Sequence, residues 1–152
     1  MERSFKKEVQ ALTLGEGATF RGEGILAVTK ALLQSGVSYV GGYQGAPVSH
    51  LLDVLVDAED IIGDLGVHLE TCTNEASAAA MLGASINYPL RSAVTWKSIV
   101  GTNVAADALS NLASPGVVGG VMIILGEDYG EGASVIQERS CLLYTSPSPR
   151  DS

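Results

Sequence analysis

Aromatic side chains are scarce in this chain. Phenylalanine, tyrosine and tryptophan make up 5% of its 152 residues, and tryptophan occurs once. Rings therefore cannot fill the core, and small residues must do much of the packing. Charge is thin as well. Charged residues account for 17%, with nine lysines and arginines against 17 acids, a net charge of −8. That balance excludes the cationic face that non-specific nucleic-acid binding requires. No apolar run reaches the roughly 18 residues of a membrane-spanning helix. Two cysteines, Cys72 and Cys141, are too few for a disulfide framework or a zinc site. The opening Met1-Glu2-Arg3-Ser4-Phe5-Lys6-Lys7 lacks the apolar stretch of a secretory leader. A reducing, cytoplasmic setting is expected, with neither nucleic acid nor membrane as partner.

What is present is 46% hydrophobic residues and 18 glycines, enough for a buried core and more glycine than the usual 7% or so. Four apolar segments read as strands: Val37 to Gly42, Val67 to Leu69, Ala93 to Trp96, and Val121 to Gly126. They recur about every 26 to 29 residues, the length of a strand, a helix and two short loops. Helical stretches alternate with them, over Gly24 to Gln34, Pro47 to Ala58, Asn74 to Ile86 and Thr102 to Leu112. The pattern predicts an α/β fold in three layers, a mostly parallel sheet with helices on both faces and right-handed crossovers. Pro47 suits a first helical turn, Thr73 or Asn74 a cap, and Gly36 and Pro115-Gly116 helix ends.

Ligands of such sheets bind beyond the carboxyl ends of the strands. Four loops should therefore share one rim: Gly41 to Pro47, Glu70 to Glu75, Lys97 to Asn103, and Gly126 to Gly132. The first is a glycine-rich turn, either a plain tight turn or a place where backbone approaches a ligand. Glu75 opens a helix whose inner face is expected to be Ala76, Ala79, Ala80, Gly83 and Ala84. By pattern alone it reads first as a carboxylate complementing the helix dipole. The small stripe marks close packing, on the sheet or on a partner subunit. Lys97 at a strand end is either solvated or a cation for a substrate carboxylate or phosphate. Glu127-Asp128 in a glycine-rich loop reads as an exposed acidic loop more readily than as a metal pair. His50 and His68 have no metal-ligand spacing, and no metal site is assigned. Gly22-Glu23-Gly24-Ile25-Leu26-Ala27 fits a dinucleotide fingerprint only if a strand precedes it. Ala18-Thr19-Phe20-Arg21 is a weak one, so a helix entry is the better reading. No GxSxG nucleophile elbow occurs.

Three stretches carry a resemblance: RGEGILAVTKALLQSGVSYVGGYQGAP, NEASAAAMLGASINYPLRSAVTWKSIVGTNVAADALSNLASPGV and GGVMIILGEDYGEGASVIQERS. Across about residues 5 to 140 the chain resembles the thiamine-diphosphate-binding subunit of indolepyruvate ferredoxin oxidoreductase, a branch of the 2-oxoacid:ferredoxin oxidoreductases. The resemblance implies a pyrimidine-binding domain at the front of a longer protein. It implies that Glu75 is the catalytic and cofactor-binding acid that touches N1′ of the aminopyrimidine. Gly45, Lys97, Gly101 and Asn103 would lie on the cofactor side, and Tyr43, Ala46, Pro47 and Lys97 on the substrate side. Relatives carry threonine where Ala46 stands, so a hydroxyl contact is missing at that position.

The implied activity is oxidative decarboxylation of a 2-oxoacid, with coenzyme A taking the acyl group and ferredoxin the electrons. The implied partners include a diphosphate-binding domain, in the same or another chain, within a homo- or hetero-oligomer. Mg²⁺ and [4Fe-4S] clusters would belong to parts outside these 152 residues, and this stretch alone is expected to be inactive. Two other readings are a flavodoxin-like binding module without catalysis, and the pyrimidine domain of a different thiamine-diphosphate enzyme.

The last twelve residues differ in character from the rest. Cys141-Leu142-Leu143-Tyr144-Thr145-Ser146-Pro147-Ser148-Pro149-Arg150-Asp151-Ser152 holds two prolines and three serines and has no period. It resembles one reading frame of a transposase sequencing adapter. The expected organisation is therefore a domain over 1–140, truncated at its C-terminal end, followed by a non-native tail over 141–152.

Overall fold

A computed structural model describes residues 3–127. The elements alternate as the spacing predicts. After a 3-10 helix, Glu8–Thr13, come α1 (Gly24–Gln34), β1 (Tyr39–Gly42), α2 (Ser49–Asp57), α3 (Glu59–Asp64) and β2 (His68–Thr71). Then follow α4 (Glu75–Met81), α5 (Ala84–Asn87), β3 (Arg91–Lys97), α6 (Ser98–Val104), α7 (Ala106–Ala113) and β4 (Gly120–Gly126). The strands form one sheet in the order β2-β1-β3-β4. All three pairings are parallel, with Val40 opposite both Leu69 and Ala93, and Val94 opposite Ile123.

Each face of the sheet is covered. On one, Phe5, Val9, Leu26, Leu32, Leu51, Leu55 and Ile62 pack against Val40 and Ala93. On the other, Ala78, Ala79, Leu82, Ala105 and Leu112 pack against Val94 and Trp96. Successive residues of β3 thus serve opposite layers, as pleating requires. The two outer strands differ. β2 is short and mostly exposed. β4 is apolar throughout yet only partly covered, with Met122 exposed. A groove of about 360 Å³ lies between β4 and α7, lined by Trp96, Leu109, Leu112, Val117, Val121 and Ile123 among others.

The predicted helix signals hold in part. Gly36 at φ +70° closes α1, and Gly116 at φ +71° follows α7. Asn74, not Thr73, caps α4, its Oδ1 accepting from the Ser77 N–H at 2.8 Å. Pro47 does not stand in a helical turn. Its peptide bond to Ala46 is cis, and it lies in the turn before α2, which begins at Ser49; in that turn the Gly45 carbonyl accepts from both the Val48 and Ser49 N–H groups at 3.0 Å. The expected inner face of α4 is also corrected. Glu75, Ala78, Ala79 and Leu82 are buried, whereas Ala80 and Ala84 are exposed. Glu75 itself points inward, and the 3.6-residue period then selects 78, 79 and 82. Of the expected stripe only Ala79 is fully buried. Residues 14–23 contain no strand, so Gly22-Glu23-Gly24 is a helix entry.

Candidate functional site

Because the strands are parallel, their carboxyl ends form one rim. β1 sends the chain to β2 on one side and has β3 on the other, so the reversal of strand order falls between β1 and β3, where a crevice opens in sheets of this order. The loops there are fastened by backbone. Beyond β1, the Tyr43 N–H donates to the Thr95 carbonyl at 3.0 Å, and the Cys72 N–H donates to the Gly42 carbonyl at 2.9 Å.

The turn from Tyr43 to Val48 lies across the ends of β3 and β4. A Cβ on Gly45 would stand 2.7 Å from Lys97 Cβ, and one on Gly126 would stand 2.6 Å from Val48 Cβ. Neither glycine leaves room for a methyl. This packing leaves Tyr43, Ala46 and Pro47 exposed on the rim, with Lys97 half-buried beside Gly45.

Glu75 enters from the second loop. It is only 7% exposed, and no described residue hydrogen-bonds or ion-pairs with its carboxylate. Burial of a charge without a partner is costly, and in proteins such groups mark places where something else supplies the partner. The third loop closes on it. A Cβ on Gly101 would meet Trp96 Cδ1 at 2.2 Å and Glu75 Cγ at 2.9 Å. The Trp96 Nε1–H donates to Thr102 Oγ1 at 3.3 Å, and Trp96 is fully buried. At the end of β4, Glu127 accepts from Ser98 Oγ at 2.9 Å.

Two groups of predicted residues therefore assemble: Glu75 with Gly101, and Tyr43, Gly45, Ala46 and Pro47 with Lys97. Asn103 is exposed near the far end of α6 and joins neither. No sequence motif marks Trp96, Thr102 or Ser98. The only available signal was a lone tryptophan at a strand end. Asp128 to Gly132 lie outside the described residues. Among the described residues, no group of three His, Cys, Asp or Glu side chains could hold a metal ion. His50 instead pairs with buried Asp53 at 3.2 Å, and His68 with Glu70 at 3.5 Å on the surface.

The indolepyruvate oxidoreductase subunit IorA of Archaeoglobus fulgidus is 33% identical over 104 residues, which is 67% of this chain and 16% of that protein. The same subunit from Thermococcus kodakarensis is 32% identical over 102 residues, 67% of this chain and 15% of the relative. That of Methanothermobacter marburgensis is 31% identical over 102 residues, 67% and 16% respectively. Over this stretch the chain belongs to the IorA family. It spans about one sixth of the length of the IorA proteins it matches. No family model matches the chain, and no solved structure does. Membership names an oxidoreductase subunit as the relative; the site geometry rests on this chain's own residues. No helix among the described residues is long and apolar enough to cross a membrane.

Proposed function

We propose that this chain supplies the aminopyrimidine half of a thiamine-diphosphate site in an enzyme that oxidatively decarboxylates 2-oxoacids such as indolepyruvate. Electrons pass to ferredoxin and the acyl group to coenzyme A. The observation that carries the reading is Glu75, a buried carboxylate without a partner among the described residues, at the crevice end of a parallel sheet. It has the chemistry to hold a proton against a ring nitrogen, and kinship to IorA proteins supports the oxidoreductase class.

The residues present fit such a group. Glu75 would meet N1′, with Gly101 too small to stand in the way. Thiamine diphosphate, when bound, supplies the nucleophile and electron sink for breaking the bond to the carboxylate carbon. This chain's residues do the rest. Glu75, only 7% exposed, would hold and return a proton at N1′. Gly45 keeps the Tyr43–Pro47 turn tight on the rim, and the Lys97 ammonium offers charge to an anionic substrate. Asn103, exposed on α6, has the weakest claim of the cofactor-side residues.

The diphosphate-binding domain, with Mg²⁺, and the [4Fe-4S] clusters belong in this reading to other parts of the native protein or to partner chains. Together they make a cytoplasmic oligomer. Residues 1–140 are one truncated domain and 141–152 derive from an adapter. Long-read sequencing of the source DNA across the Ser140 codon is expected to run on in frame; a stop after Ser152 removes the adapter reading.

In the native-length enzyme, Glu75→Gln is expected to lower kcat/KM for the 2-oxoacid by about 10²-fold or more. Unchanged turnover, or turnover that does not need thiamine diphosphate, sinks the proposal. The strand order is also that of flavodoxin-like binding modules. That alternative predicts a yellow, flavin-loaded protein, whereas a colourless one counts against it.

A further inference from the structure

The geometry points to Trp96 as a positioning residue that sets where the Glu75 carboxylate stands, acting through Thr102 and Gly101; this rests on the reading of Glu75 given above. Trp96 lies at the end of β3 with none of its surface exposed, and its indole N–H is bonded to Thr102 Oγ1 at 3.3 Å. Thr102, itself 6% exposed, belongs to α6. One residue before it stands Gly101. The indole edge and the Glu75 Cγ both lie within 2.9 Å of the point that a Gly101 Cβ would occupy.

The three elements therefore meet at a single point with no slack. The strand contributes the indole, α6 a bare Cα, and α4 the stem of the acid. The Trp96–Thr102 bond fixes the height of α6 along β3, and Gly101 then backs the methylenes of Glu75. No described group bonds the carboxylate directly, so its place is set by packing from behind. A large ring hydrogen-bonded to its neighbour does this more firmly than an aliphatic side chain of similar volume, which slides.

Two measurements test this. Trp96 is the chain's single tryptophan, so emission excited beyond the absorption band of its five tyrosines has one source. In the 152-residue chain, Glu75→Gln is expected to shift the Trp96 emission maximum. That shift should be lost in the Thr102→Val background and kept with Thr102→Ser, which retains the hydroxyl. An absent shift, or the same shift in Thr102→Val, overturns the proposal without touching the role of Glu75.

In the native-length enzyme, Trp96→Phe is expected to weaken thiamine-diphosphate binding about tenfold, and to have no further effect when Glu75 is already Gln. An equal loss in both backgrounds makes Trp96 ordinary core and also overturns the proposal. If Glu75→Gln alone leaves binding and turnover unchanged, the reading of the acid fails instead, and the emission result then judges the positioning claim by itself.

Discussion

Cys72 and Glu75 stand three residues apart and meet opposite fates. The thiol of Cys72 is half-buried beyond β2. Burial pushes its pKa above the ordinary 9.0, the nearby Glu70 carboxylate adds to the rise, and the Gly42 backbone works against it. The folded chain therefore keeps this proton longer than the unfolded chain does. Folding is undiminished below the ordinary thiol value and loses stability as the pH climbs from there towards the raised one. With Cys141 replaced by serine, alkylation of Cys72 by iodoacetamide at pH 8 should run slower in the native chain than in denaturant; equal rates contradict the burial. At this scale the sequence was legible where a residue type has one use. Asn74 before Glu75 could be read as a cap. The inward turn of Glu75 could not, because a carboxylate opening a helix has an ordinary explanation in the dipole, and only tertiary packing distinguishes the two.

At the scale of elements, α4 is the piece on which the site depends most. It has seven residues, too few to be stable without packing. Its start is fixed by Asn74 Oδ1 on the Ser77 N–H, reinforced by Thr73 Oγ1 and Ser77 Oγ at 3.3 Å. Asn74→Ala is expected to cost about 1 kcal/mol in urea unfolding, and because the cap directs Glu75, cofactor affinity in the native-length enzyme should fall with it. Asn74→Asp should retain most of both.

The four strands and α1 were plain from period and spacing. The breaks within the helices were not. The stretch after Pro47 divides at Ala58 into α2 and α3, that after Asn74 breaks at Leu82 and Gly83 into α4 and α5, and that before Leu112 starts at Ser98 and breaks at Ala105 into α6 and α7. None of these breaks carries a proline. The halves of each broken stretch pack on a sheet assembled from distant strands, a constraint that no local window contains.

Across the whole molecule the layers are unequal. β3 is buried on both faces, whereas β4 carries Val121, Met122, Ile123, Ile124 and Leu125 in a row and leaves its outer edge unpaired among the described residues. A continuous apolar run suits a strand covered on both sides; exposed at an edge, it is a template for association. The 152-residue chain should therefore self-associate with rising concentration in analytical ultracentrifugation. Met122→Lys, which places a charge on the exposed position, should reduce that. A chain that sediments as a monomer at every concentration contradicts the prediction.

Strand order also has a temporal side. β1 lies between β2 and β3, and its register joins Tyr39 to both His68 and Ser92. A ribosome delivers the first of these neighbours early and the second only after the intervening helices have emerged. During that interval the central strand of the sheet has one edge open, and Tyr43 has no Thr95 carbonyl to bond. A nascent chain paused before Lys97 therefore exposes an unpaired strand edge of the kind that chaperones and proteases engage, and the crevice beside Glu75 comes into being only once β3 has cleared the exit tunnel.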